Sequence, residues 1–359
     1  MNRWVQTGFG AALLACWLAI SGCSTNPSRP AGTPLAESAP ATPCRACQIA
    51  PDLRQRILDL DPDRVTGAQV RGILARAPAP QIIAIHGGIL PIKAGMNSLA
   101  EFLVAMGYPE SSLRNPATGD VAYGYYFDSD RLAGAVAWYT ERDGLRPMLV
   151  GHSQGGIQVM RVLHKLAGEY PAPLRVWNPE TQKTEPRSTI WDPVTRERLP
   201  IDRVQVCYAA VAAAGGAARF LPNEWDMNRR LRKVPNSVID FTGFHKEFDP
   251  WGGDYLGYGS ANEYQATGTA RVENIRLPSS GAHWTIPYAG ALLENPEALE
   301  RIQNYRSAPG PDFEDNEEPS TREAFATVVW YEVKRHWVLE LQRLLRAHAA
   351  SDAEAGAGR

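Results

Sequence analysis

Short apolar runs alternate with amphipathic stretches along most of the chain, and this alternation predicts its secondary structure. The run at 81–85 is continuous and apolar, which is typical of a buried parallel strand. The stretch at 96–106 places its apolar residues at helical spacing instead. Further strands are predicted at 121–127, 148–150, 204–212, 237–242 and 270–277, and further helices at 132–140, 157–163 and 223–233. This order predicts an α/β fold with a mostly parallel central sheet flanked by helices.

The last predicted helix has clear signals for its start and for its buried face. Ser320 followed by Glu323 forms a capping box in which Ser320 is the N-cap. Apolar residues then repeat every four positions, at Phe325, Val329, Val333, Trp337 and Leu341. We expect that face to pack against the sheet rather than to bind a ligand.

The domain organisation follows from composition and turn signals. Residues 51–350 have ordinary hydrophobic content and are numerous enough for one large domain with its own core. Inside it, Trp-Asn-Pro at 177–179 is echoed by Trp-Asp-Pro at 191–193, and Asn-Pro and Asp-Pro pairs favour turns. A polar hairpin insertion is therefore predicted at 174–200. A candidate lid and a flexible tail are assigned to 219–236 and 351–359.

The N-terminus has the features of an export signal. Arg3 precedes an apolar stretch at 8–20 that is too short to span a bilayer comfortably. The Ile-Ser-Gly-Cys sequence that follows resembles the lipobox of bacterial lipoproteins. The resemblance implies removal of residues 1–22, acylation of Cys23 and, with Ser24 next, an outer-membrane anchor facing the periplasm. The alternative is an ordinary cleaved signal peptide with a coincidental cysteine.

Residues 23–50 combine a tether rich in Pro, Ala, Ser and Thr with a Cys-x-x-Cys motif. Zinc binding by Cys44 and Cys47 would need a second ligand pair, and c-type haem would need a histidine where Gln48 stands. A local disulfide that pins the start of the folded domain is predicted instead, as suits an oxidising periplasm. Cys207 lies in an apolar run and is predicted to be a buried thiol.

Charge and composition argue against two classes of function. The net charge is −2, and the Lys and Arg residues are scattered rather than clustered, which disfavours nucleic-acid binding. The chain has no His-Glu-x-x-His motif or comparable cluster of metal ligands, which disfavours a zinc hydrolase. We therefore expect neither a metal nor another cofactor.

The motif with the most direct chemical meaning is Gly-His-Ser-Gln-Gly at 151–155. It lies between the apolar run 147–150 and the helical stretch 157–163, which is the context of a nucleophile elbow. The turn is so tight that the residues two positions before and after the serine, Gly151 and Gly155, must have almost no side chain. A serine hydroxyl also needs a base within hydrogen-bond reach, because it is a poor nucleophile at neutral pH. Ser153 is therefore the predicted nucleophile.

Two further motifs add to the elbow. His-Gly-Gly at 86–88 follows an early strand, and a histidine follows the last one. With these, residues 81–347 resemble the α/β-hydrolase family, whose members keep their catalytic histidine in the loop after the last strand. The resemblance implies that the base is His283, with His245 as the other candidate.

The acid of the triad is expected in the loop after the strand at 237–242, and three aspartates compete for this role. Asp240 lies within the strand, where its side chain would point sideways into a sheet face. Asp249 is closer to the family spacing and is preferred. Asp254 follows a Gly-Gly turn and is the alternative acid; whichever of these two is not the acid is expected to form a turn.

The resemblance also implies an oxyanion hole formed by the backbone N–H groups of Gln154 and Gly88. The expected activity is hydrolysis of carboxylic esters through an acyl-enzyme on Ser153. Acyl transfer or amide hydrolysis on the same triad, or a non-catalytic envelope module, are the alternatives. The apolar residues at 220–231 and the aromatic residues at 251–284 leave lipid, carbohydrate and aryl esters open as substrates.

Overall fold

The computed structural model describes residues 44–88, 90–307 and 319–357. The predicted signal peptide, the predicted acylation site Cys23 and most of the predicted tether lie outside the described residues. Residues Pro40–Arg359 form one compact unit. No described helix is both long and apolar enough to cross a membrane.

In chain order, the strands are β1 (Ile82–His86), β2 (Ala122–Gly124), β3 (Met148–His152), β4 (Trp177–Asn178), β5 (Lys183–Thr184), β6 (Thr189–Asp192), β7 (Glu197–Pro200), β8 (Val206–Ala212), β9 (Lys233–Val234), β10 (Val238–Lys246), β11 (Gln265–Ala266) and β12 (Arg271–Leu277). The helices are α1 (Pro51–Leu58), α2 (Gly67–Gly72), α3 (Leu90–Ala105), α4 (Ser129–Asp143), α5 (Gln154–Leu166), α6 (Gly216–Phe220), α7 (Pro296–Asn304) and α8 (Thr321–Ala357).

A six-stranded sheet in the order β2-β1-β3-β8-β10-β12 forms the centre of the molecule, and all of its pairings are parallel. The predicted α/β class with a parallel central sheet is thus confirmed. The strand order reverses at β1, so that the chain leaves β1 and β3 in opposite directions across the sheet. Open parallel sheets bind ligands in the crevice that such a reversal creates at the carboxyl ends of the strands. The residues that follow β1 and β3 therefore lie at the expected place for a site.

Helices cover both faces of this sheet, because alternate strand residues point to opposite sides. Met148 and Val150 of β3 belong to the core cluster that includes α3 and α8, whereas Leu149 belongs to the cluster that includes α4 and α5. The continuous apolar runs of the sequence are explained by this burial on both faces.

Helix α8 follows the sequence prediction at its start and departs from it at its end. The Glu323 N–H donates to Ser320 Oγ at 3.4 Å, as expected of an N-cap, but the Glu323 carboxylate pairs with Arg301 at 2.7 Å. The five apolar residues that repeat every four positions are all fully buried. The helix runs on to Ala357, into the segment 351–359 where a flexible tail is predicted.

The insertion at 174–200 consists of two antiparallel hairpins, β4–β5 and β6–β7. Each Trp-Asn/Asp-Pro echo marks one of them. The first hairpin packs so closely on α4 that a Cβ on Gly134 would lie 2.3 Å from the carbonyl oxygen of Arg175. The glycine is required at that contact.

The candidate lid at 219–236 is less regular than the helix predicted at 223–233. It contains the end of α6, a 3-10 helix at Pro222–Met227 and the short strand β9. Met227 and Leu231 are buried in the core, whereas Phe220, Leu221 and Trp225 are exposed. The segment therefore has no single buried face, because its apolar residues point in two directions.

The N-terminal end of the folded unit is fastened at the edge of the sheet where the strands begin. Cys44 and Cys47 form the predicted disulfide. A Cβ on Gly144, which precedes β3, would lie 2.6 Å from Cys44 Sγ. The last part of α8 passes close by, since His348 Nε2 lies 3.7 Å from Cys47 Sγ.

Candidate active site

Ser153 occupies a strained turn between β3 and α5. Its φ of 58° and ψ of −128° place it in a backbone region that side-chain-bearing residues rarely adopt, at a cost of about 1–3 kcal/mol. The surrounding structure holds it there: the Ser153 N–H donates to the Ala212 carbonyl at 2.8 Å. A Cβ on Gly155 would lie 2.1 Å from the Ile85 carbonyl oxygen, so only glycine fits. This geometry agrees with the elbow predicted from the sequence.

A buried hydrogen bond joins the loop after β10 to the loop after β12. His283 Nδ1 and Asp249 Oδ2 are 2.7 Å apart, and the two residues are 6% and 4% exposed. A proton on Nδ1 that is held by the carboxylate leaves the lone pair on Nε2. His283 Nε2 is itself buried and has no hydrogen-bond partner among the described residues. The pair therefore presents Nε2 as a hydrogen-bond acceptor that can take a proton.

Two side chains hold the loop that leads to His283. Lys246, the last residue of β10, donates from Nζ to the Gly281 carbonyl. Thr321, the first residue of α8, donates from Oγ1 to the Pro278 carbonyl at 2.9 Å. Burial lowers the pKa of Lys246, and the nearby Asp249 carboxylate opposes that shift.

His152, the residue before Ser153, packs against His283. The two ring centroids are 4.7 Å apart, with planes tilted by 37°, and His152 is completely buried. Burial lowers the pKa of His152 well below its ordinary value, and the neighbouring His283 lowers it further. His152 therefore stays uncharged beside any positive charge that forms on His283. This contact also places the Asp249–His283 pair beside the elbow.

The other candidates from the sequence have different roles. Asp254 does not contact His283 in the hydrogen bonds described; its Oδ1 accepts the N–H groups of Leu256, Gly257 and Tyr258 at 2.8–3.1 Å, so it forms a turn. Asp240 lies within β10, where it pairs with charged residues at the sheet edge. His245 also lies within β10 rather than in a loop, in register with Arg276.

The two segments expected to form the oxyanion hole meet at the elbow. A Cβ on Gly87 would lie 2.9 Å from Ser153 Cβ, and one on Gly88 would lie 2.8 Å from Gln154 Oε1. Gln154 is the first residue of α5, and the first N–H groups of a helix have no partner within it. The positive end of the helix dipole lies at the same place. The two backbone segments thus approach each other where a negative charge is favoured.

A buried ionic contact behind the elbow was not found by sequence reasoning. Gln154 Nε2 donates to Glu224 Oε1 at 2.9 Å, and Arg161 donates to Glu224 Oε2 at 2.6 Å. Glu224 is only 3% exposed. The available signal was a polar stripe at helical spacing on α5, formed by Gln154, Gln158 and Arg161. Nothing in the sequence identified Glu224 as its partner.

One group of described residues has the composition of a metal site. Asp240, Glu332 and His336 are buried, with ligand atoms within 4.8 Å of one another. However, Arg335 already donates to Asp240, and His336 Nε2 lies 2.8 Å from the same carboxylate. These charges compensate one another, so we describe the group as an ion-pair network between β10 and α8.

The fold and these contacts define an α/β protein that carries an Asp–His pair and a strained serine at the carboxyl edge of a parallel sheet. No protein-family model matches the chain, and no curated protein matches it. Its function is therefore inferred from the geometry alone.

Proposed function

We propose that the protein is a serine hydrolase that cleaves carboxylic esters through an acyl-enzyme on Ser153. The observation that carries the proposal is the buried 2.7 Å bond between Asp249 and His283 beside the elbow. A buried carboxylate on Nδ1 is the arrangement that makes Nε2 a general base. The strained serine backbone supports the same conclusion, because such strain concentrates at functional sites.

The proposed reaction uses each group in turn. His283 Nε2 takes the proton of Ser153 as the hydroxyl oxygen attacks the ester carbonyl, and Asp249 stabilises the imidazolium that forms. The N–H groups of Gln154 and Gly88 donate to the oxyanion. His283 then gives its proton to the leaving alcohol, and water repeats the sequence to release the acid from Ser153. An uncharged His152 adds no repulsion to the imidazolium.

We further propose that the protein acts in the cell envelope, where the lipobox-like sequence at Cys23 would anchor it. The Cys44–Cys47 disulfide supports export, since such bonds persist in oxidising compartments.

The test is covalent labelling of the purified protein with a fluorophosphonate probe, which reacts with activated serines. We expect labelling of the wild type and of Ser260→Ala, an exposed serine on a nearby 3-10 helix, and none of Ser153→Ala. Circular dichroism should show an intact fold in all three proteins. Labelling that persists in Ser153→Ala would refute the assignment of the nucleophile. Turnover of an ester series graded by acyl length would then separate hydrolysis from a non-catalytic role.

A further inference from the structure

The loop that carries Asp249 buries its charged side chains and exposes its apolar ones. We call residues 248–258 the rim loop. Both of its carboxylates, Asp249 and Asp254, are 4% exposed, although charged residues are ordinarily at the surface. Its exposed residues are instead apolar or aromatic: Phe248, Pro250, Trp251, Tyr255, Leu256 and Tyr258. A loop built in this way is suited to an apolar environment.

The rim loop belongs to a larger apolar surface. Phe220 meets Tyr255 edge-on, with ring centroids 5.7 Å apart, and Leu221 and Trp225, which follow Phe220 along the chain, are exposed as well. The hydrogen bond between Asp249 and His283 also joins the rim loop to the segment that contains the exposed Trp284, the residue after His283. These three segments, which we call the apolar rim, hold nine of the eleven large apolar side chains that are exposed in the described chain. The exposed apolar side chains of the described residues are therefore concentrated in these segments rather than scattered over the chain.

The backbone of the rim loop is prepared for a low-dielectric environment. Asp254 Oδ1 accepts three successive N–H groups, at positions 256–258. The Trp251 carbonyl accepts the N–H of Gly216 at 3.1 Å, and the Asp249 carbonyl accepts the N–H of Asp254 at 2.9 Å. Because these backbone groups are already paired within the protein, removing water from the loop costs little.

We propose that the apolar rim docks on a lipid surface and inserts Phe248, Trp251 and Leu256 into its interfacial region. Tryptophan and tyrosine are enriched at membrane–water interfaces, because their rings are apolar and carry one polar group. A carbohydrate would need polar side chains beside the rings, whereas the rim loop buries both of its carboxylates. The chemistry of the rim therefore matches lipid.

The sequence supplies a reason for this occupant over a second copy of the chain. About twenty residues separate Cys23 from Cys44, and fully extended they reach about 70 Å. That length exceeds the diameter of about 50 Å expected for a domain of this size. A chain held at Cys23 would therefore reach back to the same membrane with its rim. The docking itself does not require the proposed hydrolase activity.

The experiment uses non-acylated protein of residues 40–359, which contains both core clusters, with vesicles of phosphatidylcholine alone or mixed with phosphatidylglycerol. We expect sedimentation with both kinds of vesicle, and quenching of tryptophan fluorescence by brominated lipid. Trp251→Ser and Leu256→Ser should each weaken binding about tenfold, as the loss of one inserted side chain predicts. Val104→Ser removes an exposed apolar residue of α3 and should bind as the wild type does.

Ser153→Ala should bind vesicles normally, so that failure of the docking and failure of the hydrolase assignment are separate results. Absence of vesicle binding, or binding unchanged in both rim variants, would overturn the proposal. Self-association that depends on Trp251 and Leu256, measured by light scattering in the absence of vesicle binding, would assign the rim to a second copy and would equally overturn it.

Discussion

At the scale of single residues, the candidate acid is identified by the partner of each carboxylate's hydrogen bond. Asp249 and Asp254 lie in the same loop and are equally buried. Asp249 accepts from His283 Nδ1, whereas Asp254 accepts from the loop's own backbone. The two carboxylates therefore have different roles: Asp249 orients the imidazole of His283, and Asp254 stabilises the turn of the loop.

These contacts give opposite expectations for the same chemical change. In Asp249→Asn the neutral amide neither fixes the tautomer of His283 nor stabilises its imidazolium. The kcat for ester hydrolysis should therefore fall by about 10⁴-fold. Asp254→Asn keeps an oxygen that accepts the three N–H groups, so kcat should fall by less than about tenfold. Steady-state kinetics on a short-chain ester, with urea unfolding as the control for stability, distinguish them. Equal losses would contradict the assignment of Asp249.

Ser153 and His283 can be predicted from the sequence because each is identified by its position along the chain. The elbow motif lies between a strand and a helix, and His283 follows the last strand. The acid is not identified in this way, since two aspartates share one loop and only their hydrogen bonds differ. Contacts such as that between Glu224 and Gln154 involve residues far apart in sequence, so no local pattern encodes them.

At the scale of elements, the segment between β8 and β9 is tied to the start of α5. Glu224 of the 3-10 helix Pro222–Met227 holds the Gln154 side chain, while Arg161 of α5 neutralises Glu224. The N–H of Gln154 is one of the two groups proposed for the oxyanion hole. We therefore regard Glu224 as a positioning residue, which acts through Gln154.

Glu224→Ala should lower kcat about tenfold with little change in KM, because the hole would lose its support while the substrate pocket stays. Glu224→Gln keeps an acceptor for the Gln154 amide and should restore most of kcat. Asp226→Ala removes the other carboxylate on Arg161 and is the matched control. A purely structural role would instead show as equal kcat in all three variants despite altered urea unfolding.

The elements themselves were largely predictable, since continuous apolar runs locate the sheet strands and helical spacing locates α3, α4 and α8. The departures have physical causes. Pro222 opens a short 3-10 helix where a longer helix was expected, and the apolar residues of that segment divide between core and surface. Helix α8 is longer than expected because Ala-rich sequence continues it beyond Leu345, the last of its residues described as buried.

At the scale of the whole molecule, a buried ionic network couples α8 to strand β10 of the central sheet. Burial opposes a charge on His336, but its hydrogen bonds to Asp240 and Glu332 raise its pKa above the ordinary value. Folding therefore binds a proton at His336. That stabilisation is complete below the unfolded pKa of about 6.5 and is lost as the pH rises through the folded pKa.

The free energy of unfolding, measured with urea from about pH 6 to about pH 8, should consequently fall more in the wild type than in Asp240→Asn. Comparing the two cancels the contribution of Lys334, whose pKa is lowered to about 8 by burial. Parallel pH profiles for the two proteins would show that His336 is not charged by this network.

The start of the folded unit lies at the edge of the sheet where the strands begin, with His348, in the last part of α8, beside the Cys44–Cys47 disulfide. Ser153 lies at the other end of β3. A reporter or fusion partner joined next to the Cys44–Cys47 disulfide would therefore stand away from the site, and attachment to a solid support at that point would leave the site facing solution. The closeness of Cys47 and His348 also makes the protein a good subject for circular permutation, with new termini in the hairpins at 174–200.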